Sequence, residues 1–116
     1  MTNLVIVRGT QAGNPVLKLQ GRLTLGEGSR ILRGLIADVA AEGHKILLLD
    51  LAQVSYVDSS GLGALVAGYN SLKAQGGTTR LLNVPPRVQA LLELSGLTTL
   101  FPDPDPAADP ATGQSS

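Results

Sequence analysis

Asp58, Ser59 and Ser60 stand side by side, followed at once by Gly61, Leu62 and Gly63. A small acid beside two hydroxyls can exchange protons, accept a covalent group or cap a helix, and the backbone around it decides which. On one side lies Ile46-Leu47-Leu48-Leu49-Asp50-Leu51, short and apolar enough to be a buried strand. On the other, Leu62, Leu65, Val66, Tyr69 and Leu72 recur at helical spacing. The trio therefore falls where a strand ends and a helix begins. The first amides of a helix have no carbonyl partner within it, and the positive end of the helix dipole lies there, so a negative charge is favoured. Gly61 and Gly63 lack a Cβ and leave the backbone open to a close-approaching group. The same residues also serve as plain helix caps, and spacing alone does not choose between the two roles.

Hydrolytic chemistry fits poorly. A serine nucleophile needs a general base within hydrogen-bond reach. The single histidine, His44, precedes the strand, at its opposite end from the serines. A strand of about six residues spans about 20 Å, which puts that imidazole out of reach. Asp50 and Asp58 form no obvious acid–base pair, and no further side chains complete a metal site with them. Neither a P-loop nor a dinucleotide fingerprint occurs. The expectation is a protein without catalytic residues, metal or cofactor.

The elements that must position the trio can be read along the chain. Leu4–Val7 and Val16–Leu19 look like two short strands, with Gly9, Gly13, Asn14 and Pro15 as turn residues between them, hence an antiparallel hairpin. After Gly26, the residues Ile31, Leu32, Leu35, Ile36, Val39 and Ala40 follow helical spacing, with Arg30, Arg33, Asp38 and Glu42 elsewhere around the wheel and Gly43 as the stop. The buried strand, the serine loop and the second helix come next, and Gly76-Gly77 ends that helix. Arg80–Val84 reads as another strand, and a third helix should start near Pro86, turn Val88, Leu91 and Leu92 inward and stop at Gly96. Tyr56 and Tyr69 read as packing residues. Leu97–Phe101 is expected to add a short strand or to pack down. Residues 102–116 hold no apolar side chain larger than Ala and cannot offset their ordering entropy, so a disordered tail is expected after one domain over 1–101. Helices between strands imply parallel, right-handed crossovers, and the initial hairpin makes the sheet mixed: an α/β domain.

Composition narrows the class. The chain has 116 residues, enough for one core and too few for two ordinary domains. Hydrophobic residues make up 43% but aromatics only 3%, so Leu, Val, Ile and Ala must build the interior. Formal net charge is zero, which argues against binding nucleic acid by phosphate neutralisation. Setting aside Asp103, Asp105 and Asp109, the rest is about three units positive, too mild and too scattered to change that reading. There is no cysteine, so neither disulfides nor a thiolate site can form. No signal-peptide pattern and no apolar run of about 20 residues appears, and a cytoplasmic protein is expected.

From Leu47 to Gly63 the chain reads LLLDLAQVSYVDSSGLG, which resembles the signature of STAS-domain anti-sigma factor antagonists. The resemblance continues through Gly76-Gly77, Arg80–Val84 and Val88–Leu97, covering roughly Leu4 to Phe101. It implies a mixed sheet of four or five strands against about three or four helices. It also implies that Ser59 is the phosphorylation site and that Asp58, Ser60, Gly61, Leu62 and Gly63 belong to the partner-binding loop. The implied partner is an anti-sigma factor, usually a serine kinase of the GHKL ATPase type, released again by phosphorylation, with a phosphatase acting on phospho-Ser59. The family often carries an acidic Gly-Glu-Leu-Asp after its second strand. Here Gly21-Arg22-Leu23-Thr24 stands instead, placing Arg22 and Thr24 on the expected partner face. STAS domains also occur as scaffold subunits of transport or stress-sensing assemblies, and in that alternative Ser59 would be an N-cap alone.

Overall fold

The structure is a computed structural model that describes residues 4–97. Seven elements follow one another: β1 (Leu4–Gln11), β2 (Asn14–Leu23), α1 (Glu27–Ala41), β3 (Ile46–Val57), α2 (Ser59–Lys73), β4 (Thr78–Leu82) and α3 (Pro86–Leu94). Four strands form one sheet in the order β1-β2-β3-β4. β1 and β2 are antiparallel, whereas β2/β3 and β3/β4 are parallel. This is the α/β domain with a mixed sheet that the pattern implies. The tail over 102–116 and all of the expected last segment but Leu97 lie outside the described residues; Leu97 itself packs partly buried against the core.

Strand periodicity sorts the core. Leu17 and Leu19 of β2 and Leu47, Leu49 and Leu51 of β3 point to one face, where they meet Leu32, Ile36 and Val39 of α1, Leu65 and Leu72 of α2, and Val88 and Leu92 of α3. Val16, Leu48 and Leu82 alternate to the other face and form a small second cluster with Ile46. No helical residue belongs to that second cluster, so all three helices cover a single face of the sheet. Burying each of these leucines contributes about 1.5–3 kcal/mol.

The structure differs from the sequence reading in several places, among them β4, which runs over Thr78–Leu82 rather than Arg80–Val84. The hairpin turn is only Ala12-Gly13, both at positive φ (54° and 83°), and Gly9, Asn14 and Pro15 lie within the paired strands. A two-residue turn with both dihedrals positive matches the strand twist, so pairing runs to the tip, beyond the apolar pattern. β3 has 12 residues rather than six. Its second half is covered on one face only, through Val54 and Val57, so its hydrophobic signal is diluted by Gln53, Ser55 and Tyr56. Finally, Ile31 is exposed although helical spacing drew it towards the core. Gly43, Gly76 and Gly96, each at positive φ, follow the three helices as the sequence led us to expect.

Candidate functional site

β3 ends at Val57 and delivers the chain to the rim of the sheet, where Asp58 turns it into α2. The junction is seated on the end of β2. The Asp58 amide donates to the Leu23 carbonyl at 3.2 Å. Gly61 lies so close to that carbonyl that a Cβ would stand 2.1 Å from its oxygen. Only glycine permits that approach, so the spacing between acid, serines and first glycine is set by backbone contact with β2.

Asp58 is the N-cap of α2. Its Oδ1 accepts from the Gly61 amide at 2.8 Å and its Oδ2 from the Leu25 amide at 3.1 Å. The hydrogen bond from Gly61, with a second from Leu25, holds the carboxyl below its usual value despite partial desolvation. One of the helix amides expected to lie open to an anion, that of Gly61, is therefore already taken by this carboxylate. Because Asp58 caps, Ser59 does not. Ser59 is the first helical residue, its side chain is exposed, and its hydroxyl makes no hydrogen bond with the described residues.

The neighbours have distinct positions. Ser60 is half-buried and lines a notch of about 270 Å³ together with Leu25, Gly26, Ser29, Arg30 and Arg33. Ser29 donates to the Thr24 carbonyl at 2.7 Å, fixing the start of α1 beside the loop. Gly63 leaves room for Arg33, whose Nη2 would lie 3.3 Å from a Cβ there. Leu62 is only 9% exposed, so its side chain anchors the loop to the core and is not offered on the surface. Arg22 is exposed and its guanidinium lies 5.3 Å from the ring centre of Tyr56, which is 45% exposed and not a packing residue. Thr24 is half-buried and contributes its backbone carbonyl.

His44 sits before β3, where its Nε2 is 3.2 Å from Glu42 Oε1, and Glu42 also pairs with Arg8. A strand of 12 residues separates it from the serines, about 40 Å of rise at about 3.3 Å per residue. Among the described residues no group of three or more His, Cys, Asp or Glu side chains could hold a metal ion. Likewise, no described helix is long and apolar enough to cross a membrane. Sequence reasoning missed Leu25, Arg30 and Arg33 as neighbours of the loop. Leu25 left one clue, an apolar residue in a tight loop before Gly26, and it is 78% exposed.

Comparison with known proteins agrees with this architecture. An anti-sigma-B factor antagonist of Bacillus subtilis is 36% identical over 71 residues, 61% of this chain and 64% of that protein, slightly under two thirds of its length. An anti-sigma F factor antagonist of Paenibacillus polymyxa is 27% identical over 100 residues, 86% of each chain. The crystal structure of an anti-sigma factor antagonist from Mycobacterium paratuberculosis superposes with a TM-score of 0.72 at 25% identity, covering 85% of this chain and 83% of that one. The STAS domain matches residues 6–108, and with its sheet order, helices and Asp-Ser-Ser-Gly junction the chain belongs to the STAS domain family.

Proposed function

We propose that this protein is an anti-sigma factor antagonist: it docks on an anti-sigma factor through the face around Ser59 and releases a sigma factor. Phosphorylation of Ser59 by that partner, a serine kinase, ends the docking, and a phosphatase restores it, all in the cytoplasm. The observation that carries this reading is the state of Ser59. Its hydroxyl is exposed and idle because Asp58 performs the capping that a merely structural serine would perform. A scaffold in which Ser59 is only an N-cap has no support in that geometry. The curated relatives supply the partner class, and the placement of His44 with Glu42 before β3, with the Asp58 carboxylate held by backbone amides, favours a modified serine over a nucleophile.

The mechanism is local. A phosphoryl group adds about −1.5 to −2 charge and three acceptor oxygens at neutral pH. It would stand next to the Asp58 carboxylate, whose hydrogen bonds already occupy the Gly61 and Leu25 amides. The added charge therefore meets an existing anion and remains hydrated at the surface, costly to bury in an interface. A loss of about 3 kcal/mol in binding weakens affinity more than a hundredfold. The rigid seat on β2 means no refolding is needed.

Incubation with the anti-sigma factor and ATP, read by intact mass and peptide mapping, tests the site. One phosphate on Ser59 is expected, and none on Ser59→Ala, which should still bind. Undiminished labelling of Ser59→Ala overturns the assignment. Ser59→Asp should bind more weakly than wild type, and equal affinity of wild type, phosphoprotein and Ser59→Asp overturns the gating.

A further inference from the structure

We propose that the notch between α1 and α2 is an anion seat in which Arg30 and Arg33 receive an acidic side chain of the docking partner. This rests on the reading that the Ser59 face is where the partner binds. The notch is lined by Leu25, Gly26, Ser29, Arg30, Arg33 and Ser60, and so opens beside Ser60, the neighbour of Ser59. Both arginines are exposed and belong to one face of α1, three residues apart. Neither takes part in an ion pair among the described residues. Glu42 pairs instead with Arg8 and His44, at the far end of the sheet. Glu27, one turn earlier on α1, is paired with neither. Asp58, on the neighbouring junction, has both oxygens engaged by backbone amides.

Two unpaired guanidiniums beside a small recess call for a planar, bidentate acceptor, the geometry a carboxylate supplies. The recess has an apolar lip as well. Leu25 is 78% exposed, and its amide is bonded to Asp58, which fixes its place at the rim. An apolar anchor flanked by desolvating contacts is the surrounding in which a charge pair contributes most to an interface. Arg22, stacked on Tyr56, adds a third cation to this end of the molecule. Charge complementarity thus specifies an acidic patch on the partner. It also explains the sign of the switch: a phosphate on Ser59 would oppose the acid that these arginines attract.

Two experiments decide it. The first is a titration of the 15N-labelled full chain with a short Glu-rich peptide. Its expected result is shifts centred on Arg30, Arg33 and Ser60 that vanish in the Arg30→Glu/Arg33→Glu variant. Absence of those shifts at about 10 mM peptide, or their persistence in the variant, overturns the seat whatever the identity of the partner. The second measures binding to the anti-sigma factor at about 50 and about 300 mM NaCl. The double Glu variant should bind at least about 30-fold more weakly with a flattened salt dependence, while Arg30→Lys/Arg33→Lys, which keeps the charge but loses the bidentate fork, should fall between that variant and wild type. Undiminished binding by the double Glu variant overturns the seat and leaves the Ser59 switch standing, because labelling of Ser59 is read separately. Both arginines are exposed, so the unfolding midpoint should not move and folding does not confuse the result.

Discussion

Removing the Asp58 carboxylate is the most informative perturbation of the junction, because its two oxygens tie together two loops. Asp58→Ala deletes the cap on α2, a loss of about 1 kcal/mol, and also leaves the Leu25 amide without its charged acceptor, about 1 kcal/mol more. The sum, about 2 kcal/mol, lowers the unfolding midpoint by about 8–16 °C in a domain of this size. Asp58→Asn keeps a carbonyl for Gly61 but turns an amide nitrogen towards the Leu25 N–H, so about half the loss is expected. The pH dependence has a definite sign. Since the folded-state pKa of Asp58 is depressed, its stabilisation is complete above the ordinary carboxylate value and fades as pH falls through the folded value. The gap between wild type and Asp58→Asn should therefore be constant near neutrality and close in acid. Other carboxylates, Glu42 included, are common to both proteins and cancel in the difference. Urea unfolding at a series of pH values is the assay. An Asn variant as stable as wild type at neutral pH, or a gap that widens in acid, refutes the account of the cap.

Gly61→Ala should be far more damaging than an ordinary helix substitution, costing about 3 kcal/mol or more, because the new methyl would meet the Leu23 backbone oxygen, which cannot move aside. Circular dichroism with thermal melting checks this, and a variant within about 1 kcal/mol of wild type contradicts the close approach. Thr79→Val should stabilise the protein by about 1 kcal/mol, since the buried Thr79 hydroxyl has no hydrogen-bond partner and Val preserves its shape. Urea midpoints of the two proteins measure it directly.

Much of this architecture is legible in the residue pattern, and the exceptions have physical causes. The glycines at 43, 76 and 96 mark helix ends because positive φ is hard for any other residue. Leu47 to Leu49 mark β3 because side chains on both faces are buried there, Leu47 and Leu49 in the main core and Leu48 beside Val16 and Leu82. Past Leu51 the same strand is covered on one side only, and a window tuned to continuous apolarity loses it. β1 runs out as a largely exposed ribbon with β2, so Arg8 to Gln11 carry no hydrophobic signal and pairing extends unseen to the Ala12-Gly13 turn. At the site, local order reveals Asp58, Ser59 and Ser60, but not which of them caps. Asp58 caps through the Gly61 amide, while its other oxygen is held by the Leu25 amide, supplied from 33 residues away. Arg30 and Arg33 escaped for the same reason: they look like the solvent side of an amphipathic helix until α1 and α2 are laid together.

The contact between Gly61 and the end of β2 also bears on transplanting this motif. Residues 57–63 do not hold their shape by themselves; a carbonyl from a neighbouring strand supplies the anvil on which the turn is struck. Loops elsewhere at this rim can lengthen, shorten or change sign, altering who is recognised, without displacing the hydroxyl. Grafting the heptapeptide onto another sheet would need a parallel neighbour ending at the same level, with its oxygen aimed at the first glycine of the helix.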